Sequence, residues 1–145
     1  MEIRQISVFV ENRPGRLADI TAILAEKKLD IRALSIADTT DYGVLRLIVC
    51  DPDAAVAALK EAGLTVSATQ VLAIGIPDAP GGFAGAVRLL ADAGIGVEYA
   101  YAFVSPQGGD AYVILRVEDN AAAGKVLGTA GIPLLTQEAL FNMVK

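Results

Sequence analysis

The chain has 145 residues, 54% of them hydrophobic and 20% charged, which excludes a disordered polypeptide and leaves room for one ordinary domain or two small ones. A net charge of −5, with no block of like charges, argues against nucleic acid, whose phosphates must be met by Lys and Arg, and against an anionic membrane surface. The single cysteine cannot form an intrachain disulfide, the apolar runs are too short to span a bilayer, and no secretory leader is expected ahead of Ile3, so the sequence reads as that of a soluble cytoplasmic protein.

Along the chain, Ile6, Val8 and Val10 alternate with Gln5, Ser7 and Phe9, the period of a half-buried strand. Glu11-Asn12-Arg13-Pro14-Gly15-Arg16-Leu17 closes that strand and opens a helix, with Leu17, Ile20, Ile23 and Leu24 expected on its buried face. Strand runs follow at Ile31–Ala37 and around Leu45, Leu47 and Val49, joined by the turn chemistry of Asp38-Thr39-Thr40-Asp41. Asp51-Pro52-Asp53 starts a second, Ala-rich helix, Gly63 ends it, and a last strand is expected near Thr65–Ala68.

The same order then repeats. Leu72, Ile74 and Ile76 form the alternating run, and Asp78-Ala79-Pro80-Gly81-Gly82-Phe83 opens a helix with Phe83, Val87 and Leu90 on one face. Pro80 follows Pro14 by 66 positions, and the offset becomes 68 after the longer turn Ser105–Asp110, where Val113, Leu115 and Val117 match Leu45, Leu47 and Val49. Asp119-Asn120 starts the last helix, and a final strand is expected near Pro133–Ala139. Each half reads strand–helix–strand–strand–helix–strand. The fold class is therefore α+β: two tandem ferredoxin-like βαββαβ units, 1–69 and 70–145, each an antiparallel sheet with its helices on one face. No Pro/Ser-rich linker separates the halves, which favours a fixed relation between them. Modules this small usually lean on a partner, so a homodimer is expected.

Little in the sequence supports catalysis. There is no histidine, the commonest general base and metal ligand. Cys50 reads as buried filler at a strand end, Gly94-Ile95-Gly96 lies between helix and strand rather than in a phosphate-loop context, and Asp51, Asp53 and Asp119 read as solvated helix caps. No catalytic residue, metal or cofactor is expected.

What remains is the pair of Pro-Gly loops. Pro14 and Pro80 suit the first turn of a helix, where a missing N–H costs nothing, and Gly15 and Gly81 let backbone approach a ligand. The helix start behind them offers N–H groups and partial positive charge to a carboxylate, while Asn12 and Asp78, two residues ahead of each proline, can accept from an ammonium group. Such a loop describes an α-amino-acid receptor; the plainer alternative is a copied turn. Tyr99, Tyr101 and Phe103 form an alternating aromatic row, which also occurs on RNA-binding sheets, but the acidic charge and the lack of an interleaved basic patch favour core or interface packing, with Tyr99 or Tyr101 lining a pocket for an aromatic ligand as the secondary reading.

The segment Val10–Leu17, with Leu29-Asp30-Ile31 opening the next strand, resembles the start of an ACT domain, the amino-acid-sensing module named after aspartate kinase, chorismate mutase and prephenate dehydrogenase. The second half resembles it through Asp78–Phe83 and Gly96-Val97-Glu98-Tyr99, so the resemblance covers almost the whole chain as two copies. It implies domains paired side by side with small ligands, usually amino acids, held between them by the strand–helix loops. The implied ligand-binding residues are Asn12, Pro14, Gly15, Arg16 and Leu17 in the first copy, and Asp78, Pro80, Gly81, Gly82 and Phe83 in the second. Some serine-sensing members carry a histidine two residues before the Asn; Val10 and Ile76 stand there, which argues against serine. The resemblance implies a regulatory protein, or the regulatory subunit of an amino-acid-metabolism enzyme. The alternative is an interaction or dimerisation module that binds no ligand.

Overall fold

Period-two alternation and helical spacing resolve into eleven elements in a computed structural model that describes residues 2–38, 42–104 and 110–142. They are β1 (Ile3–Glu11), α1 (Arg16–Glu26), β2 (Ile31–Asp38), β3 (Tyr42–Val49), α2 (Pro52–Glu61) and β4 (Val66–Pro77), then α3 (Gly82–Asp92), β5 (Val97–Val104), β6 (Asp110–Val117), α4 (Asn120–Thr129) and α5 (Gln137–Asn142). The chain divides into a first compact unit, Arg4–Thr69, and a second from Gln70 onward that also takes the residues up to Ile3. The turns expected at 39–41 and 105–109 lie outside the described residues.

In the first unit β3 pairs antiparallel with both neighbours, setting Ile6 opposite Leu47 and Val8 opposite Leu45 on one side, Leu34 opposite Leu47 and Ile36 opposite Leu45 on the other. The free flank of β1 receives the start of the fourth strand, where the Phe9 N–H donates to the Thr65 carbonyl at 3.0 Å. Because alternate residues share a face, Leu45, Leu47 and Val49 all turn to the helices and pack with Ile20 and Leu24 of α1 and Ala55 and Leu59 of α2.

The second unit repeats the plan. Leu72 lies opposite Leu115 and Ile74 opposite Val113, while β5 pairs with the other side of β6. Val113, Leu115 and Val117 close a core with Ala86 and Leu90 of α3 and Ala123 and Leu127 of α4. The fold is α+β, two tandem ferredoxin-like units, with the strand residues expected to face the helices buried in both.

Three expectations about the strands and their ends need correction. The strands expected at Thr65–Ala68 and from Leu72 are one uninterrupted β4, because no Gly or Pro lies between Val66 and Gly75 to break it. The strand expected at Pro133–Ala139 shrinks to a single bridge between Leu134 and Ile74, held by the Gly75 N–H to the Pro133 carbonyl (2.9 Å) and the Leu135 N–H to the Ala73 carbonyl (2.8 Å). The Thr136 hydroxyl then accepts from the Ala139 N–H at 3.0 Å and starts α5, which buried Leu140 anchors, so a capping residue ahead of helix formers overrides the strand. Finally, Cys50 is exposed, since β3 ends one residue earlier; its N–H donates to the Asp30 carbonyl (3.0 Å) and its Sγ accepts from the Asp30 N–H (3.2 Å).

Candidate functional site

Both Pro-Gly loops fold into the same turn. The Arg16 N–H donates to the Arg13 carbonyl at 3.3 Å across Pro14 and Gly15, and the Gly82 N–H donates to the Ala79 carbonyl at 3.0 Å across Pro80 and Gly81. Gly15 has φ 86° and ψ −15°, and Gly81 has φ 86° and ψ −10°. These are the angles of the third residue of a type II turn, with proline ahead of it, and a side chain there would add roughly 1–2 kcal/mol of left-handed strain.

This turn moves the prolines from their expected place. Glycine is the N-cap of each helix, and the proline stands before it, because the Pro-Gly pair must finish the turn before the helix can start at Arg16 or Gly82. The first helical bonds run from the Asp19 N–H to the Gly15 carbonyl (2.9 Å) and from the Gly85 N–H to the Gly81 carbonyl (3.1 Å). The N–H groups of Leu17, Ala18, Phe83 and Ala84 precede them and have no intrahelical acceptor. No side chain caps α1 or α3. By contrast, Asp51 and Asp119 cap α2 and α4, their carboxylates accepting from Ala54 N–H (3.1 Å) and Ala122 N–H (3.0 Å), as expected of helix caps. Asp53 lies in the first turn of α2 and pairs with the Arg4 guanidinium at 2.6 Å.

In the first loop Asn12, Pro14, Gly15 and Leu17 are exposed and Arg16 is half-buried; in the second Asp78, Pro80, Gly81 and Phe83 are exposed and Gly82 is half-buried. Leu17 and Phe83 therefore depart from the expected buried faces, at 40% and 39% exposure. Each occupies the second helical residue, beside the turn, and the core is reached only at Ile20 and Ala86. Each loop thus presents a polar side chain, a fixed turn, uncapped helix N–H groups and an exposed apolar side chain within one short segment.

The two copies differ at the first helical residue. Arg16 has its Nε buried without a hydrogen-bond partner, whereas the matching Gly82 sits so close to the end of β4 that a Cβ would stand 2.2 Å from the Pro77 carbonyl oxygen. Beside the second loop a cleft of about 550 Å³ opens between β4, α3 and the segment after α4. Its lining includes Gly85 and Asp110, which sequence reasoning did not single out; the signal was Gly85 itself, standing where the first copy has Asp19.

Tyr99, Tyr101 and Phe103 are half-buried on β5, with Phe103 stacked on Tyr112 at 5.6 Å, and Phe9 stacks on Tyr42 at 4.5 Å in the first unit. Among the described residues no group of three His, Cys, Asp or Glu is placed to hold a metal, and no helix is long and apolar enough to cross a membrane.

Two ferredoxin-like units in tandem, each opening its first helix through an uncapped Pro-Gly turn, define a duplicated α+β module. The chain belongs to the ACT domain pair family, whose model matches residues 1–144. It is similar to protein BT0572 from Bacteroides thetaiotaomicron, at 36% identity and a TM-score of 0.91 over 97% of this chain and 96% of that one. The fold is shared with the regulatory subunits of aspartate kinase from Thermus flavus (18% identity, TM-score 0.65, 90% of this chain and 94% of that one) and Thermus thermophilus (19%, 0.62, 88% and 91%). No curated protein matches the sequence.

Proposed function

We propose that this ACT domain pair is a cytoplasmic, non-catalytic regulatory protein that binds a free amino acid at its Pro-Gly loops and acts as a homodimer, controlling an enzyme of amino-acid metabolism as a separate subunit. The observation that carries this reading is the contrast between the helices: α2 and α4 are capped by their own carboxylates, while α1 and α3 start without a side-chain cap behind a rigid turn. An uncapped start of this kind suits a ligand carboxylate, and Asn12 and Asp78 are the acceptors for its ammonium group. The fold shared with proteins that are named as regulatory subunits of aspartate kinase supports a role beside an enzyme.

A thermal-shift screen of the free amino acids against the full chain tests the reading. A ligand bound only by the folded state stabilises it by RT ln(1 + [L]/Kd), about 2.7 kcal/mol at a hundredfold excess over Kd. At least one amino acid should raise the melting temperature; if none does, the loops are turns alone.

A second reading, an interaction module without a ligand, draws on Leu34 and Ile36. They are 52% and 47% exposed on the edge strand β2, an apolar pair suited to a protein partner. A stable complex indifferent to amino acids would favour it.

A further inference from the structure

The cleft beside the second loop is built by missing side chains. Gly82, Gly85 and Ala86 line it from α3 together with Leu89, and the first repeat carries Arg16, Asp19 and Ile20 at the positions matching the first three, 66 residues earlier. Gly85 has no reason of its own to be glycine. It is the fourth residue of α3, where glycine is a poor helix former, its φ is not in the left-handed region, and a Cβ there would meet nothing within 4 Å. What it leaves is room. Leu89 and Ile132 make the lining apolar, and Asp110 is the single charged residue among those that line it. The volume of about 550 Å³ falls within the roughly 300–1,000 Å³ of small-ligand clefts.

Resting on the receptor reading above, we infer that this cleft takes the apolar side chain of the bound amino acid, so that the second unit selects large aliphatic or aromatic amino acids. The apolar walls match such a side chain, and the Asp110 carboxylate repels an acidic one. The first repeat, with a guanidinium, a carboxylate and a branched side chain at the same three positions, does not share this selectivity.

The test uses the full chain with L-leucine, L-phenylalanine, glycine and L-aspartate as probes in thermal-shift and equilibrium-dialysis measurements. L-leucine or L-phenylalanine should raise the melting temperature well above any effect of glycine, which has no side chain to place. Gly85→Leu should weaken that binding at least tenfold while its ligand-free melting temperature stays at or above that of the wild type. If Gly85→Leu melts lower, Gly85→Asp takes its place, since the first repeat carries aspartate there. Undiminished binding of the apolar probes in the variant, or no binding of either apolar probe where glycine or L-aspartate binds, overturns the inference and leaves the receptor reading standing. Silence from every amino acid overturns both.

Discussion

Gly82 and the Pro77 carbonyl are in closer approach than any side chain permits: a Cβ on Gly82 would lie 2.2 Å from that oxygen. The partner is backbone at the end of β4, so relief requires moving the helix start rather than a rotamer. Gly82→Ala should therefore destabilise the protein by about 1–3 kcal/mol, the scale of an overpacked site. Arg16→Ala, at the matching position of the first repeat, only shortens a side chain that is already accommodated. Urea unfolding of the two variants should separate them clearly; equal midpoints would mean that the second loop has slack.

Gly15 and Gly81 matter for a different reason. Nothing lies within 4 Å of a Cβ at either position, yet both hold φ 86°. Gly15→Ala and Gly81→Ala should each cost roughly 1–2 kcal/mol through backbone strain alone. Denaturation midpoints that stay at the wild-type value would show that the turn relaxes to another type.

Loss of the caps should be milder and local. Asp51→Ala and Asp119→Ala each remove one carboxylate that accepts from a helix N–H, worth about 1 kcal/mol. Amide hydrogen exchange should speed up in the first turn of α2 or α4 accordingly. Unchanged exchange there would remove Asp51 and Asp119 from the list of caps.

Leu47 is fully buried between β1, β2 and the helices of the first unit. Leu47→Asp places an unpaired charge there and should cost several kcal/mol, on the order of 3–5. Retention of wild-type stability would contradict the assigned face.

For the ligand, Asn12→Ala should remove a polar contact worth on the order of 1–3 kcal/mol, or roughly tenfold or more in affinity. Asp78→Asn keeps the shape and removes the charge, so it tells whether the second loop reads an ammonium group by its sign. Calorimetric titration of both variants gives the answer. Binding that survives both changes would remove these side chains from the site.

Much of this was legible because the chain repeats itself. Alternation at Leu45, Leu47 and Val49 and again at Val113, Leu115 and Val117 assigned the buried faces in both halves, and Asp51 and Asp119 announced two helix starts. The last strand was not legible, since Pro133, Leu134 and Leu135 are apolar enough for sheet while the cap at Thr136 only acts once Leu140 has a core to enter. Leu17 and Phe83 fit the helical period, but the period does not say how far along the helix the core begins. The cleft escaped because a glycine in a sequence is silent about whether it admits a backbone, a side chain or a ligand; only the space around Gly82 and Gly85 distinguishes them.

The pairing of Asp30 with Cys50 has a practical side. The chain's sole thiol stands exposed at the end of β3, in the first unit, on a backbone pinned by the Cys50 N–H to the Asp30 carbonyl. A maleimide fluorophore or nitroxide would attach at one known address per polypeptide, with no cysteine to engineer away. In a mixture of donor- and acceptor-labelled chains, energy transfer between two such addresses would appear only if the chains assemble, and a change on adding an amino acid would connect that assembly to ligand binding in a single tube.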